Sequence, residues 1–161
     1  MKEKLTVSLF GHRFIDEHNA VESKLRELLR IVMQKESGEV EFLVGRNGDF
    51  DLMAASVIRK LKKETGNENA FLALVLPYET AELRNNTEAF ESYYDSIEIC
   101  EASADCNFKY AFVARNRDMI DRSDMVIVYV KNESGGAYQA LKYAEKNQKR
   151  IINLYHTQNE E

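Results

Sequence analysis

Three glycine-bearing segments of this sequence carry residues suited to binding an anion: Gly11-His12-Arg13, the stretch from Gly45 to Asp51, and Ser134-Gly135-Gly136. Each follows an apolar run that is typical of a β-strand. Glycine lets the backbone approach a ligand closely, and the free N–H groups at a helix N-terminus attract phosphate or carboxylate. A tight turn would explain any one of these glycines equally well. The three together favour one shared anion-binding crevice.

Arg115 is the most unusual placement in the sequence. It shares one predicted helix stripe with Phe108, Phe112 and Met119, so its guanidinium should face the interior. An inward guanidinium needs an anionic partner, either a protein carboxylate or a ligand phosphate. An arginine that snorkels from the edge of the stripe is the alternative. Arg13 is the second candidate because it directly follows the end of a predicted strand.

Two carboxylates and one histidine complete the candidate chemistry. Asp49 and Asp51 flank the start of a predicted helix, where N-capping is their ordinary role. Asp51 has a sharper alternative, which is to accept a hydrogen bond from a ribose hydroxyl. His12 is either a general acid or base at the crevice or a hydrogen-bonding residue of its loop. The predicted ligand-binding set is Gly11, His12, Arg13, Gly45, Asp51, Arg115, Ser134, Gly135 and Gly136.

Several common site signatures are missing from the sequence. Gly45-Arg46-Asn47-Gly48 is not followed by Gly-Lys-Ser/Thr, and no G-x-G-x-x-G occurs, which argues against a P-loop NTPase and a hydride-transferring dehydrogenase. The histidines His12, His18 and His156 are too scattered for a metal site, and no H-E-x-x-H or C-x-x-C motif is present. We therefore predict no metal and no cofactor, and we assign no catalytic residue.

The elements that must position these residues alternate between strand and helix. Strands are predicted at 6–10, 40–44, 71–76, 97–99, 125–130 and 150–154. Helices are predicted at 20–36, from the 45–51 loop to Thr65-Gly66, at 107–122, and from Gly136 onward, while 78–94 is only weakly helical. This alternation predicts an α/β fold, a Rossmann-like three-layer sandwich with a mainly parallel sheet. We expect one domain over residues 1–157 and a short tail at 158–161.

Composition narrows the class of protein further. The chain has 161 residues, is 44% hydrophobic and 30% charged, and carries a formal net charge of −5. These fractions exclude disorder and fibrous structure, and no apolar run reaches the roughly 20 residues that a membrane span needs. The acidic balance argues against nucleic-acid binding. With no signal-peptide pattern and two cysteines that match no zinc or redox spacing, a cytoplasmic location is expected.

Together these segments resemble the SLOG superfamily, named for the DNA-processing protein Smf/DprA and the cytokinin-activating LOG proteins. Within it, the sequence is most similar to the small bacterial YpsA-like proteins (the DUF1273 group). The most specific carrier is the order of Arg115, Ser123-Asp124, an apolar strand and Gly135-Gly136. Leu9 to Arg13 and the Gly45 to Asp51 stretch support it.

The resemblance implies a Rossmann-like fold that binds a nucleotide or nucleotide derivative, with phosphate on the Gly-Gly helix and Arg115 as the family's motif arginine. It also implies a homo-oligomer, such as a homodimer. LOG-type members release the base from a nucleoside 5′-monophosphate through the motif P-G-G-x-G-T-x-x-E. In this sequence Tyr138 and Gln139 replace the motif's Gly and Thr, and Lys142 stands where the catalytic Glu should be.

Three functional hypotheses follow. The leading one is the binding or sensing of a nucleotide-like ligand at the carboxyl ends of the strands. The alternative is a LOG-like phosphoribohydrolase or N-glycosidase in which Asp51 or Asp121 replaces the missing Glu. The third is an interaction protein whose crevice is vestigial.

Overall fold

One six-stranded sheet forms the centre of the protein. The computed structural model describes residues 4–36, 38–103 and 106–155. The strands are β1 Lys4–Gly11, β2 Glu39–Val44, β3 Ala70–Leu76, β4 Ser96–Ile99, β5 Met125–Tyr129 and β6 Arg150–Asn153. Their order is β4-β3-β2-β1-β5-β6, and every neighbouring pair is parallel. The predicted Rossmann-like α/β fold is confirmed, and over the described residues the sheet is parallel throughout rather than mainly so.

Six helices flank the sheet in the described part of the chain. They are α1 His18–Lys35, α2 Asp49–Thr65, α3 Ala81–Asn85, α4 Thr87–Tyr93, α5 Phe108–Asp121 and α6 Gly136–Lys146. Helices α1, α2 and α4 contribute to one hydrophobic core, and α5 and α6 contribute to a second core on the opposite face. The sheet between two cores gives the three-layer arrangement.

Strand β1 contributes side chains to the hydrophobic cores on both faces of the sheet. Successive side chains of a strand point to opposite faces. Val7 and Leu9 belong to the core under α1 and α2, while Phe10 belongs to the core under α5 and α6. Ser8 also faces α5, where its hydroxyl donates to the Met119 carbonyl at 3.1 Å. A strand covered on both faces is what a parallel sheet requires.

The strand order sets the position of the crevice. The chain builds β1 to β4 outward in one direction and then crosses back to place β5 on the other side of β1. The loops after β1 and β5 therefore leave the sheet toward opposite layers. Ligand crevices of open α/β sheets form at such a reversal, outside the carboxyl ends of the strands.

The predicted apolar stripe of α5 was partly wrong. Its buried residues are Ala111, Arg115, Met119 and Ile120, and the first three follow one another at four-residue intervals. Phe108 is 71% exposed and lies 5.2 Å from the ring of Tyr78. The reason is local, since α5 begins at Phe108 and this first residue packs against a surface loop instead of the sheet.

Some sequence predictions fall outside the described residues. These are His156 and the tail at 158–161. Helix α1 itself ends at Lys35, and α2 ends before Gly66, as its sequence indicated.

Gly11 was predicted to let the backbone approach a ligand, but packing also requires a glycine there. A Cβ at this position would lie 2.2 Å from Cγ of Phe50, a fully buried side chain of α2. Such a distance is far inside van der Waals contact. Gly11 therefore permits α2 to pack closely against the end of β1.

We expect Gly11→Ala to lower the free energy of unfolding by about 1–3 kcal/mol, because overpacking forces Phe50 and the backbone to shift. Chemical denaturation measures this. Gly136→Ala is the matched control, since a Cβ there meets nothing within 4 Å, and it should leave stability nearly unchanged. Equal stability of the Gly11→Ala variant and the wild type would contradict the packing role.

Candidate functional site

A crevice of about 450 Å³ opens at the carboxyl ends of the strands. Its size lies within the range of small-molecule sites. Four parts of the chain meet there: the ends of β1 and β2, the start of α6, and the inner face of α5. The lining residues are Phe10, Gly11, His12, Arg13, Asn47, Asp51, Phe112, Arg115, Asn116, Gly135, Gly136 and Ala137.

Arg115 lies in the wall of this crevice and is only 2% exposed. Its Nη1 donates to the Val75 carbonyl at 2.9 Å, and its Nε donates to Asn116 Oδ1 at 2.9 Å. Its Cζ lies 5.5 Å from the centre of the Phe112 ring. Among the described residues, Nη2 has no hydrogen-bond partner and no carboxylate forms an ion pair with the guanidinium. The predicted inward orientation is confirmed, and the snorkelling alternative is excluded.

Asp51 is the carboxylate that faces Arg115 most directly. It lies in the first turn of α2, partly buried, and its Oδ2 accepts the Asn47 backbone N–H at 2.9 Å. Burial raises the pKa of Asp51, while the Asn47 hydrogen bond and the charge of Arg115 act in the opposite direction. On balance the site therefore disfavours the charged form of Asp51, despite a neighbouring cation.

Burial has the matching effect on the arginine. It lowers the pKa of Arg115, and the negative charge of Asp51 opposes that shift. An arginine loses its proton only in strongly alkaline solution, so the guanidinium remains charged at neutral pH. The protein thus keeps a cation in its interior with part of its hydrogen-bonding capacity unused.

Gly45 provides the space in which these two groups approach. A Cβ at Gly45 would lie 2.8 Å from Nη1 of Arg115 and 3.0 Å from Oδ2 of Asp51. Gly45 is not among the residues that line the crevice, so its role differs from the predicted contact with a ligand. The two charged side chains, rather than a ligand, require a glycine here.

The start of α6 presents open backbone to the crevice. Gly135 precedes the helix with a φ of 94°, a conformation that favours glycine. Among the described residues, no side chain caps this helix end, and a Cβ on Gly135 or Gly136 would meet no atom within 4 Å. The first N–H groups of a helix lack intrahelical partners. The predicted glycine pair therefore lies where a ligand has room to reach it.

The structure brings together most of the predicted site residues. Those that line the crevice are Gly11, His12, Arg13, Asp51, Arg115, Gly135 and Gly136. Two predicted residues do not line the crevice: Gly45 lies next to Asp51 and Arg115, and Ser134 is exposed on the surface. That any of them binds a ligand stays a prediction.

The assigned roles need several corrections. The N-cap residue of α2 is Gly48, so neither Asp49 nor Asp51 occupies the N-cap position. Instead Asp49 Oδ2 accepts the Ile15 N–H at 3.0 Å and ties the loop after β1 to α2. Of the two roles considered for His12, the loop hydrogen bond is present: Nε2 accepts the N–H groups of Lys131 and Asn132.

Sequence reasoning missed five lining residues: Phe10, Asn47, Phe112, Asn116 and Ala137. One of them had a readable signal. Phe112 lies three residues before Arg115, so helical geometry places both on neighbouring positions of one face. Asn116 follows Arg115 directly and meets its Nε, which spacing alone does not indicate.

Other candidate chemistry lies away from the crevice. Asp121, considered as a replacement acid, is the last residue of α5, and its Oδ1 accepts the Tyr143 hydroxyl at 2.7 Å. It precedes β5 and so lies at the amino edge of the sheet. Within residues 4–36, 38–103 and 106–155, no group of three or more His, Cys, Asp or Glu side chains is arranged to hold a metal ion. No helix in the same ranges has the length and apolar character needed to cross a membrane.

Comparison with models of known protein families gave no match, and comparison with curated protein sequences gave none either. Solved structures do match. DNA processing protein A (DprA) from Streptococcus pneumoniae has a TM-score of 0.65 at 15% identity, with 91% of this chain and 49% of that chain covered. DprA from Helicobacter pylori, in a structure concerned with its single-stranded DNA binding mode, gives 0.64 at 20% identity, with 91% and 63% covered.

A third structure, of the protein TM1055, gives a TM-score of 0.59 at 15% identity, covering 92% of this chain and 72% of that chain. This chain spans about half of one DprA and less than two thirds of the other. The shared feature is the fold, a Rossmann-like α/β domain. These identities are too low to carry an activity from those proteins to this chain.

Replacing the partly buried carboxylate at position 51 should stabilise the protein. The folded-state pKa of Asp51 lies above its ordinary value of 3.8, so the folded state binds this proton more tightly than the unfolded chain. The stability linked to Asp51 is therefore present when the pH lies below the ordinary pKa of aspartate, and it is lost as the pH rises through the folded-state pKa of Asp51. Asp51→Asn keeps an oxygen for the Asn47 N–H and removes the charge.

We expect Asp51→Asn to raise the free energy of unfolding at neutral pH by about 1 kcal/mol, the order of cost of a desolvated polar group. The gain should shrink on acidification, because the wild-type carboxyl becomes neutral as well. Denaturation at several pH values measures both effects, with Asp49→Asn as the control. A loss of stability at neutral pH would show instead that the Asp51 charge supports Arg115.

Proposed function

We propose that this protein binds a phosphorylated nucleotide or nucleotide derivative in the crevice at the carboxyl ends of its strands. The observation that carries the proposal is Arg115. A guanidinium that is 2% exposed, with Nη2 lacking a hydrogen-bond partner in the described structure, is costly to maintain without an anion. A ligand phosphate would supply one.

The start of α6 supports the phosphate assignment. Gly136 and Ala137 line the same crevice as Arg115. Open N–H groups at a helix N-terminus and a forked guanidinium are the two features that proteins most often combine around phosphate. Their convergence favours a phosphorylated ligand over a neutral one.

The remaining walls suit a nucleoside. Phe10 and Phe112 offer aromatic surface, and Asn47 and Asn116 offer amide groups able to both donate and accept hydrogen bonds. Asp51 is placed to accept a hydrogen bond from a ribose hydroxyl. A mixture of apolar walls and few polar groups is typical of small-molecule sites.

The fold relationship also fits the proposal that the chain is of the YpsA-like kind within the SLOG superfamily. DNA binding in the manner of DprA fits less well, because DNA binding normally requires a basic surface and this protein has a net charge of −5. A cytoplasmic, homo-oligomeric nucleotide sensor is the form of the proposal that the resemblance supports.

Ligand binding should raise the melting temperature of the wild-type protein with at least one member of a panel of nucleoside 5′-monophosphates, nucleoside diphosphates and ADP-ribose. A single-stranded DNA oligonucleotide in the same panel should give no shift. Calorimetric titration should then show that Arg115→Met lowers the affinity for the ligand that raised the melting temperature by at least about tenfold, because a charge-assisted hydrogen bond is lost.

Arg117→Met is the matched control for this experiment. Arg117 is exposed on the same helix, with its Cζ 5.0 Å from the Tyr143 ring and outside the crevice, so its loss should leave affinity unchanged. The proposal fails if the whole panel gives neither a thermal shift nor binding heat. Equal affinity of the wild type and the Arg115→Met variant would remove Arg115 as the anchor.

A second candidate function rests on Asp51. Carboxylic acids that assist the cleavage of glycosidic bonds have a raised pKa, and the pKa of Asp51 in the crevice is also raised. Lys142, which stands at the position of the LOG-type Glu, is exposed and forms an ion pair with Glu145, so it offers no acid there. Asp51 is then the carboxylate available for a LOG-like N-glycosidase reaction.

Incubation with nucleoside 5′-monophosphates, followed by chromatography for free base, separates the two candidates. Under the leading proposal no base accumulates with any common nucleotide. Base release that is abolished in the Asp51→Asn variant, while ligand binding persists, would establish the hydrolase instead. Release that survives this substitution would show that Asp51 does not carry the reaction.

A further inference from the structure

The loop between β5 and α6 carries the glycine pair, and two side chains hold its beginning. Asn153 of β6 binds Val130 twice, with Oδ1 accepting its N–H at 3.1 Å and Nδ2 donating to its carbonyl at 3.1 Å. On the other side, His12 Nε2 accepts the N–H groups of Lys131 at 2.8 Å and Asn132 at 3.0 Å. The loop is thus fastened to both strands that neighbour β5 before it reaches the glycines.

The hydrogen bonds of His12 define its protonation state. An imidazole nitrogen accepts a hydrogen bond only when it carries no proton, so the proton of the neutral ring must reside on Nδ1. Protonation of Nε2 would direct a new N–H toward two backbone N–H groups. Both hydrogen bonds would be lost at once, and the three donors would repel one another.

The surroundings of His12 oppose that protonation. The ring is partly buried and meets the Tyr129 ring of β5 edge-on at 6.1 Å. Burial, and then the charge of Lys131, lower the pKa of His12. Arg13 is its chain neighbour, while Arg115 and Asp51 line the same crevice. Among the described residues, no carboxylate pairs with the imidazole to stabilise its charged form.

We propose that His12 is the positioning residue of the glycine loop: its neutral imidazole latches residues 131–132 to the end of β1, and protonation releases them. The consequence for affinity rests on the proposed function, whereas the latch itself does not. Anion binding should weaken on acidification, because the loop that presents Gly135 and Gly136 loses its anchor. A histidine that contacts an anion directly gives the opposite dependence, since its positive charge would strengthen binding.

The latch is tested on the ligand-free protein by nuclear magnetic resonance. In ¹⁵N-labelled protein, His12 should be the Nδ1–H tautomer at neutral pH, and the amide signals of Lys131 and Asn132 should titrate together with it. The transition should lie below the roughly 6.5 of an unperturbed histidine. Amide signals that stay constant while His12 titrates, or an Nε2–H tautomer, would overturn the proposal.

Two variants separate the latch from a merely structural histidine. His12→Gln supplies a non-titrating amide oxygen at about the reach of Nε2, so the Lys131 and Asn132 amide shifts should become independent of pH while the loop stays ordered. His12→Leu removes the acceptor, so both amides should lose protection from hydrogen exchange at every pH. His18→Gln, at the start of α1, is the control and should change neither. A His12→Gln variant whose two amides still titrate would overturn the proposal.

Stability gives an independent readout with a definite sign. The folded-state pKa of His12 lies below its ordinary value, so the unfolded chain binds this proton more tightly. The stabilisation is complete when the pH lies above the ordinary pKa of histidine, and it is lost as the pH falls from there through the folded-state pKa of His12. The melting temperature of the wild type should therefore drop more on acidification than that of His12→Gln, and equal drops would count against the latch.

The link to ligand is tested with ADP-ribose, whose diphosphate does not change charge between about pH 5 and pH 8, the range in which histidine titrates. The wild type should lose affinity by about tenfold on acidification across this range, while His12→Gln should keep its affinity. If neither protein binds ADP-ribose at any pH, ADP-ribose is not a ligand and the amide titration alone decides the latch. If wild-type affinity rises on acidification, His12 acts on the anion directly and the latch account of binding is overturned.

Discussion

The structure depends on how it accommodates one buried positive charge. Arg115 occupies a position on α5 that an apolar residue would fill at less cost, and it is held there by a carbonyl at the end of β3 and by the neighbouring Asn116. A buried guanidinium is costly unless its donors are satisfied. Several local features follow from its presence. Gly45 must lack a side chain to make room for it, and burial raises the pKa of Asp51, the carboxyl group that lies beside it.

The fold explains why this charge lies at an accessible place. Strands β1 and β5 are neighbours in the sheet although their paired residues, such as Val7 and Met125, are 118 positions apart in the sequence. Reversal of the strand order at this point separates the loops that follow them and leaves the crevice between. Residues from four distant segments then converge without any one segment forming a recognisable motif. The same convergence lets His12, after β1, hold the loop after β5.

The sequence was sufficient for the architecture and for much of the crevice, and its failures have physical causes. Apolar runs such as Met125–Tyr129 and the glycines at strand ends report burial and loop geometry directly, so strand–helix alternation was readable. The helical period also placed Arg115 inside. The roles of Gly11 and Gly45 were not readable, because a glycine that makes room for Phe50 or Arg115 looks the same as one that approaches a ligand. The exposed ring of Phe108 was mispredicted because periodicity does not reveal where the sheet ends.

The most direct test of the account is a crystal structure of the protein soaked with the nucleotide or ADP-ribose that stabilises it most. A phosphate oxygen should lie within hydrogen-bond distance of Arg115 Nη2 and of the backbone N–H groups at the start of α6. The nucleoside should pack against Phe112, with Asp51 near the ribose. A ligand bound elsewhere, or a protein carboxylate that has moved onto Nη2 in an otherwise empty crevice, would contradict it.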